Sequence, residues 1–135
     1  MIDHEGALLK ALIAWLRDDG TIKSLLGEPA RIWDQPPEGP GFPHLLIGRS
    51  ESRPISADGC GIEHSLTLSC VSRFAGTEEA RAVCAAMRAR LHDATLEGDG
   101  VRTISLRVTF VDVFRSADLH RAYAVIRLRA VTEEV

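Results

Sequence analysis

Between Gly61 and Leu91 the chain alternates with period two and then changes to a longer period. Ile62, His64, Leu66, Leu68 and Cys70 fall on one side, and Glu63, Ser65, Thr67 and Ser69 on the other; only Val71 interrupts the polar side. One apolar face at period two predicts a half-buried strand. Phe74-Ala75-Gly76 ends it, and Thr77 is placed to cap a helix whose first turn carries Glu78 and Glu79, suited to its positive end. Ala80, Val83, Cys84, Met87 and Leu91 then recur as one helical stripe. A strand and a helix that each have a single apolar face satisfy both by packing together.

The same reading extends along the rest of the chain. Asp3 is placed to cap a first helix ending near Gly20, with Leu9, Leu12, Ile13 and Leu16 as its core stripe and Leu8 and Trp15 on the flank. Thr21 to Leu26 reads as a short helical turn closed by Gly27, and Ile32-Trp33 as a very short strand. Residues 34–43, DQPPEGPGFP, hold four prolines and predict an irregular but stiff surface loop. His44 to Ser52 reads as a strand, and Arg53 to Gly61 as the loop of a long hairpin.

After the second helix, Glu97-Gly98-Asp99-Gly100 is a turn by composition. From Val101 to Phe114 the alternation sets Ile104, Leu106, Val108, Phe110 and Phe114 inward and Thr103, Ser105, Arg107 and Thr109 outward. Arg115 to Leu119 turns the chain, and His120 to Val131 returns with Ala122, Ala124, Ile126, Leu128 and Ala130 inward. Thr132 to Val135 reads as a frayed tail. Helix, hairpin, helix, hairpin predicts a single α+β domain over residues 1–135: a mostly antiparallel four-stranded sheet with two helices on one face and the strand order open.

Composition narrows the function. A net charge of −3 and a pI near 5.9 disfavour a dedicated nucleic-acid binder. No apolar run approaches the ~20 residues of a membrane span, so no membrane partner is expected, and the N-terminus lacks the pattern of a secretion signal. Cys60, Cys70 and Cys84 show no CxxC pairing and read as reduced thiols, two of them on apolar faces. There is no phosphate-binding loop, no dinucleotide glycine pattern and no nucleophile elbow. Cys60 and His64 lie four apart without further ligands, and His64 on the inward face reads as a hydrogen-bonded core histidine. No catalytic, cofactor-binding or metal site is predicted, and an enzyme is not expected.

Two features do not suit a plain monomer. A twelve-residue strand at ~3.3 Å per residue is about 40 Å long, against a radius of gyration of about 14 Å for a domain this size. Either the strands bulge, or the Arg53–Gly61 end projects as an assembly arm, with Arg53 and Ile55 at its base and an open strand edge for a neighbour. In the last hairpin, a turn centred on Ala117 sets Arg107 opposite Arg127 and Ser105 opposite Arg129. Like charges across a ladder repel, which calls for an acidic partner or splayed side chains. On that outward face Val111, Tyr123 and Val125 make an apolar patch that a monomer has little reason to expose. The candidate assembly interface is therefore Arg53, Ile55, Arg107, Val111, Tyr123, Val125, Arg127 and Arg129.

The stretches ALLKALIAWLRDDGTIKSLLG, RIWDQPPEGPGFPHLLIG, EHSLTLSCVSRFAGTEEARAVCAAMRARLHDA and RAYAVIRLRAVTE, in that order, resemble the small tail-completion or tail-terminator proteins of long-tailed bacteriophages and phage-like gene transfer agents. The resemblance covers nearly the whole chain. It implies an α+β subunit without catalytic residues that forms a homo-oligomer, a hexameric ring. That ring would cap the tail tube protein and dock onto the head-side connector of a virion-like particle made in a bacterial cytoplasm, with DNA passing through only as cargo. The alternatives are a head-closure component of the same assembly and a small-molecule-binding domain using a groove between helix and sheet.

Overall fold

Residues 2–55, 61–74 and 76–135 are described by a computed structural model. Among them the chain runs α1 (His4–Arg17), α2 (Gly20–Leu26), β1 (Ile32–Trp33), β2 (His44–Ile55), β3 (Gly61–Val71), α3 (Glu78–Leu91), β4 (Glu97–Gly98), β5 (Val101–Arg115) and β6 (Ala122–Glu134). The strands form one six-stranded sheet in the order β1-β2-β3-β6-β5-β4. The four long strands are antiparallel to one another as expected. Two two-residue strands extend the sheet, β1 parallel to β2 and β4 antiparallel to β5, so four strands are corrected to six. Two helices are corrected to three. The cause is Asp19, whose carboxylate accepts from the Ile22 amide at 3.0 Å and starts a new helix at Gly20, the residue expected to close the first.

The helices pack on the sheet face that carries Leu45, Leu66, Leu68, Cys70, Leu106, Ala124, Ile126 and Leu128, all buried. In α1 the Asp3 side chain accepts from the Gly6 amide at 2.8 Å. The buried stripe is Ala7, Leu8, Leu12 and Leu16; the expected Leu9 and Ile13 are half-buried at its margin. Trp15 sits at the other margin, clasped to α3: its indole N–H donates to the Arg90 carbonyl at 2.9 Å and Arg90 Nε donates to the Trp15 carbonyl at 3.0 Å. The Arg90 guanidinium lies 3.6 Å from the indole centroid. In α3 the stripe of Ala80, Val83, Cys84, Met87 and Leu91 is buried as predicted. Thr77 holds the N-cap position without a side-chain capping bond. Glu79 ties the helix back to the end of β3 instead, accepting from the Ser72 hydroxyl at 2.9 Å and from Arg73 Nε at 3.3 Å.

Bulges absorb the strand length. Register shifts fall between Ile47 and Ser50 in β2, and between Thr103 and Ser105 and between Val108 and Phe110 in β5. Gly48 lies in the first, where a Cβ would stand 3.0 Å from the Thr67 carbonyl oxygen. Each bulge in β5 reverses which residues face the helices. Thr103 is buried and Ile104 exposed, Leu106 and Val108 face inward as expected, and beyond Thr109 it is Val111 and Val113 that pack on the core while Phe110 and Phe114 turn out. Five placements are thereby corrected, those of Thr103, Ile104, Phe110, Val111 and Phe114.

The ends of the ladders run further than the alternation implied. Arg53, Pro54 and Ile55 are not loop but pair with Glu63, Ile62 and Gly61. Residues 56–60, with Cys60 and the tip of the expected arm, lie outside the described residues. Thr132 is fully buried, β6 continues to Glu134, and the Val135 amide donates to the Gly100 carbonyl at 2.9 Å, so the expected frayed tail is strand. Asp99 and Gly100 have φ of 52° and 82°, the left-handed pair that a two-residue hairpin turn between β4 and β5 requires.

Candidate functional site

Among the described residues the helices cover one face of the sheet, and the opposite face of β2, β3, β6 and β5 is open. The registers set its side chains in rows. His44, Val71, Tyr123 and Phe114 stand across one end; Leu46, Ser69, Val125 and Asp112 follow; Thr67, Arg127 and Phe110 come next. Toward the other end stand Glu51, Ser65, Arg129 and Arg107, then Arg53, Glu63, Val131 and Ser105, and last Ile55, Gly61, Glu133 and Arg102.

The first end is aromatic. The rings of Phe114 and Tyr123 stack at 5.7 Å, and the Arg127 guanidinium lies 4.7 Å from the Phe110 centroid. The proline-rich loop joins this end. Arg31 pins it by donating from Nε to the Pro43 carbonyl at 2.8 Å and from Nη2 to the Phe42 carbonyl at 3.0 Å. Phe42 then packs 5.0 Å from the His44 ring, with the Arg121 guanidinium 4.1 Å over it. Phe110 and Phe114 each remain 42% exposed, and Phe74 beyond the end of β3 is 55% exposed.

The second end is charged and internally paired. Glu63 accepts from Arg129 at 2.8 Å and from Arg53 at 3.0 Å, and these two bonds, Arg129's first, hold its carboxyl below the usual range. Arg102 pairs with Glu133 at 2.8 Å. Because the hairpin turn is centred between Asp118 and Leu119 and not on Ala117, Arg107 stands opposite Arg129 and not Arg127, and Val131 takes the place opposite Ser105. The repulsion is relieved within the chain, since Arg129 bonds Glu63 and Arg107 Nε lies 3.3 Å from Asp93. No acidic partner is needed for it.

Of the eight residues singled out from the sequence, seven lie on this face: Arg53, Ile55, Arg107, Tyr123, Val125, Arg127 and Arg129. Val111 does not; it packs inward opposite Ile126. Phe110 and Phe114 occupy the face in its stead. Asp112 carried the missed signal, because a carboxylate alternating with Val111 and Val113 marks its own side, and that of Phe110 and Phe114, as the wet one.

The face offers contact surface more than chemistry. A depression of about 330 Å³ is lined by Glu51, Ser52, Arg53, Glu63 and Ser65, with the Glu63 carboxylate already taken by two guanidiniums. Among the described residues no three His, Cys, Asp or Glu side chains come together as a metal site. The space between helices and sheet, the groove considered for a small molecule, is filled by Leu12, Leu16, Met87 and Leu91, none of which has exposed surface.

Comparison with known proteins bears on this surface. The family model described as tail completion protein gp17 matches residues 10–133, from α1 through nearly all of β6. The chain belongs to the tail completion family. A chain solved in the virion of a native gene transfer agent particle is 25% identical, with 96% of this chain and 97% of that chain covered and a TM-score of 0.86. A second solved chain, 14% identical over 96% of this chain and 92% of its own, has a TM-score of 0.47, too loose a likeness to carry an argument. Among curated proteins none matches. The span of the tail completion match takes in all four long strands, and with them every row of the open face.

Proposed function

We propose that this tail completion protein is a structural component of a phage-like particle and acts as its tail terminator. Copies close into a ring of six that caps the tail tube at its head-proximal end and joins it to the head-side connector, with DNA passing through as cargo. The observation that carries the reading is the open sheet face, with stacked and exposed aromatic rings at one end, in a chain of this family. Large exposed aromatic groups are the side chains that dominate protein–protein contacts. Arg53 and Ile55 stand at the far end of the same face, so one surface offers two places for neighbours. A contact between two different places on successive copies is heterologous and closes into a ring when the rotation allows. The filled helix–sheet space and the family support a structural role over catalysis or small-molecule binding.

Imaging of intact particles tests the reading. Sixfold density for this chain at the head-proximal end of the tail is expected. Phe114→Ser combined with Tyr123→Ser should leave a folded subunit that forms no ring and tails that do not join heads. A single copy per particle overturns the proposal, and density on the head side of the joint reassigns the chain to head closure.

A further inference from the structure

The first turn of α1 is fastened to the sheet through one hydroxyl shared by two imidazoles. Thr132 Oγ1 lies 2.8 Å from His4 Nδ1 and 2.8 Å from His64 Nε2. Thr132 and His64 have no exposed surface, and His4, at the rim, is 9% exposed. A hydroxyl carries one hydrogen, so it donates to one of these nitrogens and accepts from the other. His64 Nδ1 decides the direction. It is buried with no hydrogen-bond partner among the described residues. A hydrogen there would be an orphaned buried donor, which proteins avoid more strictly than an unused lone pair. His64 therefore carries its hydrogen on Nε2 and donates to Thr132. The Thr132 hydroxyl in turn donates to His4 Nδ1, and His4 carries its own hydrogen on Nε2.

We propose that this directed chain, His64 to Thr132 to His4, is a proton-sensitive latch that holds the first turn of α1 on the sheet while both imidazoles are neutral and releases it when His4 is protonated. A hydrogen added at His4 Nδ1 points two N–H donors at one oxygen and leaves the Thr132 hydrogen without its acceptor. It also sets a positive charge beside a second imidazole in a buried site. The groups facing the pair are few. From α1 comes Glu5, whose carboxylate accepts from the Ser52 hydroxyl of β2 at 2.6 Å, while Asp3 is turned to the Gly6 amide. From β6, Glu133 points to the opposite face and is held by Arg102. Glu5 offsets part of the added charge, the exposed Glu134 is the other carboxylate on the Thr132 side of β6, and desolvation disfavours a charged His64. The latch is a property of the subunit and does not depend on the role proposed above.

Two measurements on the full chain test it. Imidazole nitrogen NMR at about pH 7.5 should show the hydrogen on Nε2 of both His4 and His64. Amide exchange in the first two turns of α1, corrected for intrinsic rates, should lose about tenfold protection between about pH 7.5 and pH 5, while β3 and β6 hold theirs. Thr132→Val should show low protection of α1 already at the higher pH and no further step, and Thr132→Ser should restore both. If Thr132→Val does not fold, the wild-type tautomers and the wild-type step remain the test. A hydrogen found on His64 Nδ1, or α1 protection unchanged across the pH range, overturns the latch.

Discussion

Burial pushes the Cys70 thiol up to about 12, with Cys84 and Glu79 adding to the effect, so it stays protonated and packs as a small hydrophobe between β3 and α3. Cys70→Ser should cost about 1–3 kcal/mol in denaturant unfolding, because it buries a hydroxyl without a partner; assembly should survive. Burial acts on His64 with the opposite sign. Desolvation, only partly offset by Glu5, sets its imidazole below the ordinary value. The unfolded chain then binds more protons than the folded one, so the stability is whole above about pH 6.5 and is lost as pH falls below it. The urea midpoint should drop between about pH 7.5 and 5.5, and His64→Gln should shrink the drop. An inward His64 is legible from the alternation of β3. Its partner Thr132 is not, because four residues rich in charge after the last apolar pair look like a frayed end until a neighbouring strand is there to pair with them.

At the scale of elements, what the sequence shows well is the stripe of α3 and the inward face of β6, since both run without interruption. The alternation misleads wherever a bulge resets it. Nothing in Ile104 or Thr109 announces an extra residue, because a bulge is set by the partner strand and by sheet twist as much as by its own side chains. The α1–α3 clasp is invisible for a similar reason: Trp15 and Arg90 are far apart in the chain and meet only through packing. Arg90→Ala should cost about 1–2 kcal/mol, from the lost stacking and the lost hydrogen bond of Nε to the Trp15 carbonyl. Arg90→Lys should recover little of it, because an ammonium does not reproduce a planar guanidinium lying on an indole. Chemical unfolding of both variants measures this, and full recovery by Lys would reduce the clasp to simple charge.

For the whole molecule, hairpins are local and can be read from the order of apolar runs, whereas the partner of a hairpin is a long-range choice. That is why strand order stays open in the sequence and appears only with the pairing of Gly61 to Glu133 through Val71 to Tyr123. This pairing makes β6 a central strand, flanked by β3 and β5, and gives α1 its anchor at Thr132. β6 is also made after every other strand among the described residues. Until Ala122–Glu134 is made, the β2–β3 hairpin and β5 have no common neighbour, and the edges of β3 and β5 that it pairs with stay open. Contacts this distant in sequence close slowly. A chain stopped after His120 should give no cooperative unfolding transition by circular dichroism and should be digested by protease at the rate of an unfolded polypeptide. Translation interrupted before Ala122 therefore yields no nearly finished subunit: the strand that joins β3 to β5 is made after both of them.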